Sequence, residues 1–208
     1  MNIKNLNRVQ KYGEVFTSRR EIVNMLKLVN DECRRIDSRF LEPACGSGNF
    51  LVEILKLKLE NVKRCYGGRQ HEYEKNSILA LSSIYGIDIL EDNIEECKGN
   101  LLNIFENLYI EKFGKKFKQK CIDSAQFIIN RNIIWGDALT YKTCSRPPES
   151  IVFTEWSFVN NSMIQQNQYI FSELLSEKRN EKDFEMLESL IPLPNKTLKL
   201  MHFLEIKH

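Results

Sequence analysis

Two glycines flank a serine at Gly46-Ser47-Gly48, between an apolar stretch that ends on an acid, Phe40-Leu41-Glu42, and an amphipathic stretch, Phe50-Leu51-Val52-Glu53-Ile54-Leu55. This order reads as strand, tight turn and helix. Glycine lacks a Cβ, so the turn lets backbone approach a ligand closely. The helix start behind it offers free N–H groups and the positive end of a helix dipole. A nucleotide-like ligand fits there. Leu51 stands where the dinucleotide fingerprint has its third glycine, which argues against NAD or FAD. Ser47 and the missing lysine exclude a phosphate-binding P-loop.

The remaining sequence sets this unit in an alternating pattern. Ser18-Arg19-Arg20-Glu21 is a capping box that opens an amphipathic helix through Ile22, Val23, Met25, Leu26 and Val29. The polar, glycine-containing stretch from Arg64 to Lys75 reads as a loop, followed by a short helix from Ser77 to Ser83. Ser83 to Ile89 reads as a second strand ending in an acid, and Glu91 to Phe113 as a long amphipathic helix. Phe127 to Trp135 reads as a third strand, ending at Gly136-Asp137, and Ile151 to Thr154 as a fourth. From Ser162 to Leu190 the pattern is helical, with Ile170, Leu174, Leu175, Phe184, Leu187 and Leu190 apolar; Leu198 to Ile206 reads as one more strand. Alternating strands and helices predict an α/β fold, with a mostly parallel sheet and helices on both faces.

In such sheets ligands sit beyond the C-terminal strand ends. Glu42, Asp88 and Asp137 all occupy such ends. The diol of a nucleoside ribose and an adenine amine are hydrogen-bond donors, which carboxylates accept. Asp88, after the second strand, stands where ribose hydroxyls are held, and Asp137 is placed to accept from an adenine amine. Alone, each reads more readily as a cap for the helix that follows it; together with the glycine turn they read as ligand-binding.

Bulk properties exclude several classes. The 208 residues suffice for one domain with a sizeable core, and the net charge of +2 is too small to argue nucleic-acid binding by itself. Six cysteines, none in a C-x-x-C pair, give no reason to expect a metal. No secretory signal and no membrane-length apolar run are read, so a cytoplasmic protein with reduced thiols and no membrane is expected. Cys45, inside the turn, is read as a small packing residue rather than a nucleophile. The lysines at 112, 115, 116, 118 and 120, interleaved with Phe113 and Phe117, read as a solvated helix end more readily than as a phosphate-contacting patch.

Glu42-Pro43-Ala44-Cys45-Gly46-Ser47-Gly48-Asn49-Phe50 resembles the cofactor motif of S-adenosylmethionine-dependent DNA adenine methyltransferases of restriction–modification systems. Gly13 to Val23 resembles the segment that covers the methionine end of the cofactor, with Ser18 where that motif has proline. Ile84 to Ile89 and Ile134 to Leu139 resemble the next two cofactor motifs in order and spacing. The resemblance implies a Rossmann-like methyltransferase fold and S-adenosylmethionine as cofactor. It implies that Phe16 and Thr17 border the methionine moiety and that Glu42, Ala44, Gly46 and Gly48 surround its amino-acid end. Asp88 with Ile89 then meets the ribose side, and Asp137 with Ala138 the adenine. It implies DNA as a partner, together with a specificity or complementary methyltransferase subunit.

The family's catalytic motif, Asn or Asp followed by Pro-Pro and an aromatic, is absent. Pro147-Pro148 precedes the fourth strand and reads as a turn. Glu155-Trp156-Ser157-Phe158 keeps the frame of acceptor, two residues, aromatic, which makes Glu155 and Phe158 a candidate altered catalytic pair: one to accept from the adenine amine, one to stack on the flipped base. Trp156 and Phe158 read equally as core residues. A complete sheet of this kind needs about three strands beyond the fourth; at most one is read, so an incomplete sheet is expected. The expected divisions are a cofactor-covering segment and helix over 1–35, the cofactor-binding domain over 36–160 and a helical extension over 161–208. Three functions compete: a DNA adenine methyltransferase or truncated relative, a non-catalytic cofactor-binding subunit, and a methyltransferase acting on something other than DNA.

Overall fold

The computed structural model describes residues 17–176 and 192–206. The first helix, α1 (Arg19–Leu28), opens on the capping box: Ser18 Oγ accepts from the Glu21 N–H, and the Ser18 N–H donates to Glu21 Oε2 at 3.0 Å. A short α2 (Asn30–Arg34) leads to β1 (Phe40–Glu42), and Gly48 caps the start of α3 (Asn49–Tyr66). On α3 the buried residues Leu51, Ile54, Leu55, Lys58, Leu59 and Val62 follow the helical repeat, so one face of the helix turns into the core.

The stretch read as a loop is helical. α3 runs to Tyr66 and α4 (Gln70–Ser82) begins four residues later. Its polarity is misleading because one of its charged groups, Glu74, is buried and paired. Glu74, with no exposed surface, accepts from Gln70 Nε2 at 2.8 Å, Tyr109 Oη at 2.6 Å and Lys118 Nζ at 2.7 Å.

β2 (Ile84–Asp88) and α5 (Glu91–Phe113) lie where the sequence puts them. After the 3₁₀ turn Gly114–Lys116, the third strand is shorter than read: Gln119–Asn132 is helix α6, and only Ile133–Asp137 forms β3. Cys121, Ile122, Ala125, Ile128 and Ile129 are buried at helical spacing, so Phe127 to Ile129 belong to the helix.

β1, β2 and β3 are parallel and adjacent in that order, and β4 (Lys142–Thr143) adds antiparallel to β3. Glu42 lies level with Gly86, and Asp88 level with Trp135. The acids Glu42, Asp88 and Asp137 therefore end successive strands at the same end of the sheet, each two residues beyond the last.

The rest departs from the expected parallel sheet. β5 (Val152–Val159) pairs antiparallel with β6 (Met163–Ile170) in a second sheet, to which β7 (Lys196–Thr197) and β8 (Met201–His202) add on β6. Residues 163–170, read as helix, are therefore strand, and the expected helical extension is partly β-structure. Helix α7 (Phe171–Ser176) keeps part of that reading; Phe184, Leu187 and Leu190 lie outside the described residues. The fourth strand does not join the parallel sheet, and β1 is that sheet's edge among the described residues.

Alternation on β2 and β3 divides the core. Ile84, Ile133 and Trp135 belong to the larger cluster with the main helices. Tyr85, Ile87 and Ile134 pack instead against Ile151, Phe153 and Phe171. Where helices are expected, that face carries the start of β5 and one short helix, α7, with the Phe153 ring 5.5 Å from Tyr85 and 5.0 Å from Phe171. The fold is α/β, with mixed sheets. Among the described residues no helix is long and apolar enough to cross a membrane, and no group of side chains is arranged to hold a metal.

Candidate functional site

The glycine turn is built by contacts from three directions. Gly46 and Gly48 have φ of +52° and +81°, a region that side chains disfavour. Within the turn the Gly48 N–H donates to the Cys45 carbonyl at 2.8 Å. Toward the sheet, the Cys45 N–H donates to the Ile87 carbonyl and the Gly46 N–H to Asp88 Oδ2, both at 2.9 Å. Toward α5, Asn100 Nδ2 donates to the Ser47 carbonyl at 3.0 Å. Gly86 on β2 makes room for the turn, since a Cβ there would stand 3.0 Å from Cys45 Sγ and from Leu51 Cδ1.

A cleft of about 220 Å³ opens over this turn, lined by Glu42, Ala44, Gly46 and Ser47 and, from α1 and its lead-in, by Thr17 and Ile22. A larger cleft of about 420 Å³ adjoins it through Thr17, Ile22 and Asn49. Of the expected cofactor residues, the smaller cleft brings together Thr17, Glu42, Ala44 and Gly46. Phe16 lies outside the described residues. Gly48 faces away from the cleft, against Cys97, whose Sγ would be 2.5 Å from a Cβ placed on it.

Asp88 is buried and bonded to several donors. Besides Gly46, its Oδ1 accepts from the Leu90 N–H at 2.9 Å and from Asn93 Nδ2 at 3.3 Å. It anchors the turn and the entry to α5 at once, without capping that helix: the N-cap is Leu90, which has no side-chain cap bond. Ile89 is exposed and its carbonyl accepts from Trp135 Nε1 at 3.0 Å. Asp137 Oδ1 accepts from the Leu139 N–H at 2.8 Å. That bond and those from Thr140 hold its carboxyl below the usual range. Ala138 packs on the second core cluster.

The charges in the cleft are uneven. Burial raises the Glu42 carboxyl above its ordinary value, and the Ala44 N–H bonded to it pulls the other way. The Cys45 thiol is pushed far up by the neighbouring Cys97 thiol and by burial. It is a protonated packing group, not a nucleophile.

The altered catalytic pair does not form. Glu155 is ion-paired with Arg39 and accepts from Tyr169 Oη at 3.0 Å. It lines a separate apolar groove of about 310 Å³ with Phe40, Leu41, Tyr85 and Phe153. Phe158, three residues on, faces the other side of β5 and packs 5.9 Å from Phe203, with Lys75 Nζ 5.8 Å from its ring. Strand alternation puts positions 155 and 158 on opposite faces, so the spacing of the sequence frame cannot bring them together on β5.

Three contributors lie outside the sequence motifs. Asn93 and Asn100 hold Asp88 and Ser47 from α5; their signal was their spacing with Cys97 along an otherwise apolar face. Lys58, with no exposed surface, reaches the carbonyls of Arg35, Ile36 and Ser38 and Ser83 Oγ at 2.6–3.0 Å, tying the approach of β1 to that of β2.

Among known proteins, the chain is similar to one of Methanocaldococcus jannaschii described as a candidate type II restriction enzyme and methyltransferase. The two are 37% identical over 92 residues, 42% of this chain and 8% of that protein. It is also similar to a type I restriction enzyme methylase subunit of the same organism, 36% identical over 94 residues, 40% of this chain and 15% of the subunit. The matched stretch is thus a small fraction of either relative. No family model matches the chain, and no solved structure matches it.

Proposed function

We propose that the chain is the S-adenosylmethionine-binding part of a restriction–modification methyltransferase of the DNA adenine type, on a Rossmann-like sheet. The observation that carries this reading is the Asp88–Gly46 bond, which holds an acid at the end of β2 against a glycine turn at the end of β1. The names of the two relatives support the methyltransferase class and the restriction–modification setting.

The residues present fit the cofactor. A Cβ on Gly46 would meet nothing within 4 Å among the described residues, so bare backbone borders open space where a ligand can approach. Among the described residues no cation offsets the burial of the Glu42 carboxyl, which suits it to a ligand ammonium. A carboxylate offers about four acceptor positions, so Asp88 can hold the turn and a ribose hydroxyl together. Asp137 accepts from the adenine amine, with Ile89 and Ala138 beside the ring, and Phe16 and Thr17 close the methionine end. The cofactor supplies an electrophilic methyl group.

With Glu155 committed to Arg39 and Tyr169, the group that accepts from the target amine comes from a partner subunit that also engages DNA. Titration calorimetry with S-adenosylmethionine, beside a methyl-transfer assay on DNA, tests both parts. Micromolar binding without transfer by this chain alone is the expected result. Absence of binding would remove the cofactor reading; transfer by this chain alone would remove the partner.

A further inference from the structure

On α5, Asn93, Cys97 and Asn100 recur at i, i+4 and i+7, which places them on one helical face. Each meets a different part of the candidate site. Asn93 donates to Asp88, Cys97 lies against Gly48, and Asn100 donates to the Ser47 carbonyl. We propose that this face of α5 is the positioning element of the site, with its two asparagines acting on opposite ends of one ligand. The inference rests on the reading that the cleft holds S-adenosylmethionine.

Asn100 acts on the glycine turn. A segment with two left-handed glycines has much conformational freedom to lose, and ordering it opposes binding. The bond from Asn100 fixes the one residue between them, so the turn is held in its bound shape before ligand arrives. The turn borders the cleft with Glu42, at the amino-acid end. Asn93 is buried and acts on the carboxylate of Asp88, at the nucleoside end. Cys97 sets the distance between them: it is small enough for Gly48 to seat against the helix, where even one added carbon would collide with its sulfur.

The two roles separate with two ligands. S-adenosylhomocysteine carries both ends; 5′-methylthioadenosine carries only the nucleoside. Both are titrated calorimetrically into the wild-type chain and into Asn100→Ala, Asn100→Asp and Asn93→Ala. Asn100→Ala is expected to weaken S-adenosylhomocysteine about three- to tenfold, the worth of one hydrogen bond, while leaving methylthioadenosine within about twofold. Asn100→Asp, similar in size but without the donor, reproduces that split. Asn93→Ala weakens both ligands alike. A general loss of stability would lower both affinities together and cannot produce the split. Equal loss on both ligands in the Asn100 variants, or none, overturns the inference while the cofactor reading stands. A wild-type chain that binds neither ligand overturns both.

Discussion

Asp88 and Gly46, 42 residues apart in sequence, are joined by a 2.9 Å hydrogen bond from the glycine N–H to the acid's Oδ2. One carboxylate thus serves the fold and the candidate ligand together. Its other oxygen accepts from the Leu90 N–H and from Asn93 at the start of α5. Removing it would leave buried donors without a partner, so any binding measurement on an Asp88 variant also reports on the turn.

Asp88→Ala is therefore expected to lower stability by about 1–3 kcal/mol, the cost of a buried donor left unpaired. It is also expected to weaken S-adenosylmethionine by about ten- to over a hundredfold, since a bond to a charged group contributes about 1.5–3 kcal/mol. Thermal melting and calorimetry, the latter well below the variant's transition, separate the two effects. An unchanged dissociation constant in the folded variant would show that Asp88 anchors the turn only.

The two glycines should respond differently to alanine. Both have left-handed φ, worth about 1–2 kcal/mol against a side chain. At Gly48 a Cβ also meets Cys97 Sγ at 2.5 Å, so Gly48→Ala should be the more destabilising in a thermal melt. At Gly46 a Cβ meets nothing among the described residues, so Gly46→Ala should keep more stability and lose more ligand binding, its methyl standing at the cleft. The reverse order would mean that the cleft over Gly46 is not where the ligand lies.

Glu42 should trade stability for binding. Burial raises its folded pKa above the ordinary 4.5. From pH 4.5 up to that raised value the native protein keeps a proton that the unfolded chain has released, so stability falls as pH rises through the window. Glu42→Gln removes the buried charge and is expected to raise the melting temperature of the ligand-free protein at neutral pH. It should also weaken S-adenosylmethionine about tenfold or more by removing a carboxylate that faces the ammonium. A variant that loses stability would mean that the Ala44 N–H already compensates the charge.

What was legible in the sequence was local. The capping box at Ser18 and Glu21, the long helix from Glu91 to Phe113 and the strand before Asp88 each carry their own signal over a few neighbouring residues. What was not legible depends on partners distant in the chain. β6 runs Gln165-Gln166-Asn167-Gln168 through its middle, a composition that does not argue strand, and is held there by eight residue pairs with β5. The start of β3 was hidden because the apolar run of α6 continues into it. The boundary is marked by Asn132, whose side chain donates to the carbonyls of Ser82 and Ile84 and accepts from Trp156 Nε1, contacts a local reading cannot see. The turn and the three strand-end acids were legible because a glycine motif and strand polarity are local. The frame of Glu155 and Phe158 was not, because it depends on β5 running past Thr154 to Val159 against β6, where alternation parts the two side chains.

Lys58 gives the sharpest test of the packing beneath the site. It is fully buried, and its ammonium is shared among the carbonyls of Arg35, Ile36 and Ser38 and the hydroxyl of Ser83. Lys58→Met fills the space but leaves those acceptors without their donor, and a loss of about 3 kcal/mol or more is expected from several unpaired buried carbonyls. The loss should also depend on pH. Burial lowers the folded pKa from 10.5 to about 8, with nearby acids such as Asp37 and Glu32 opposing it. Between those values the unfolded chain holds a proton that the native state has released, so wild-type stability rises with pH relative to the variant. Denaturant unfolding of both proteins should show the gap widening from pH 8 to pH 10.5, by at most about 1.4 kcal/mol per pH unit. A gap that stays level across that window would mean that the acceptors around the ammonium fully offset its burial.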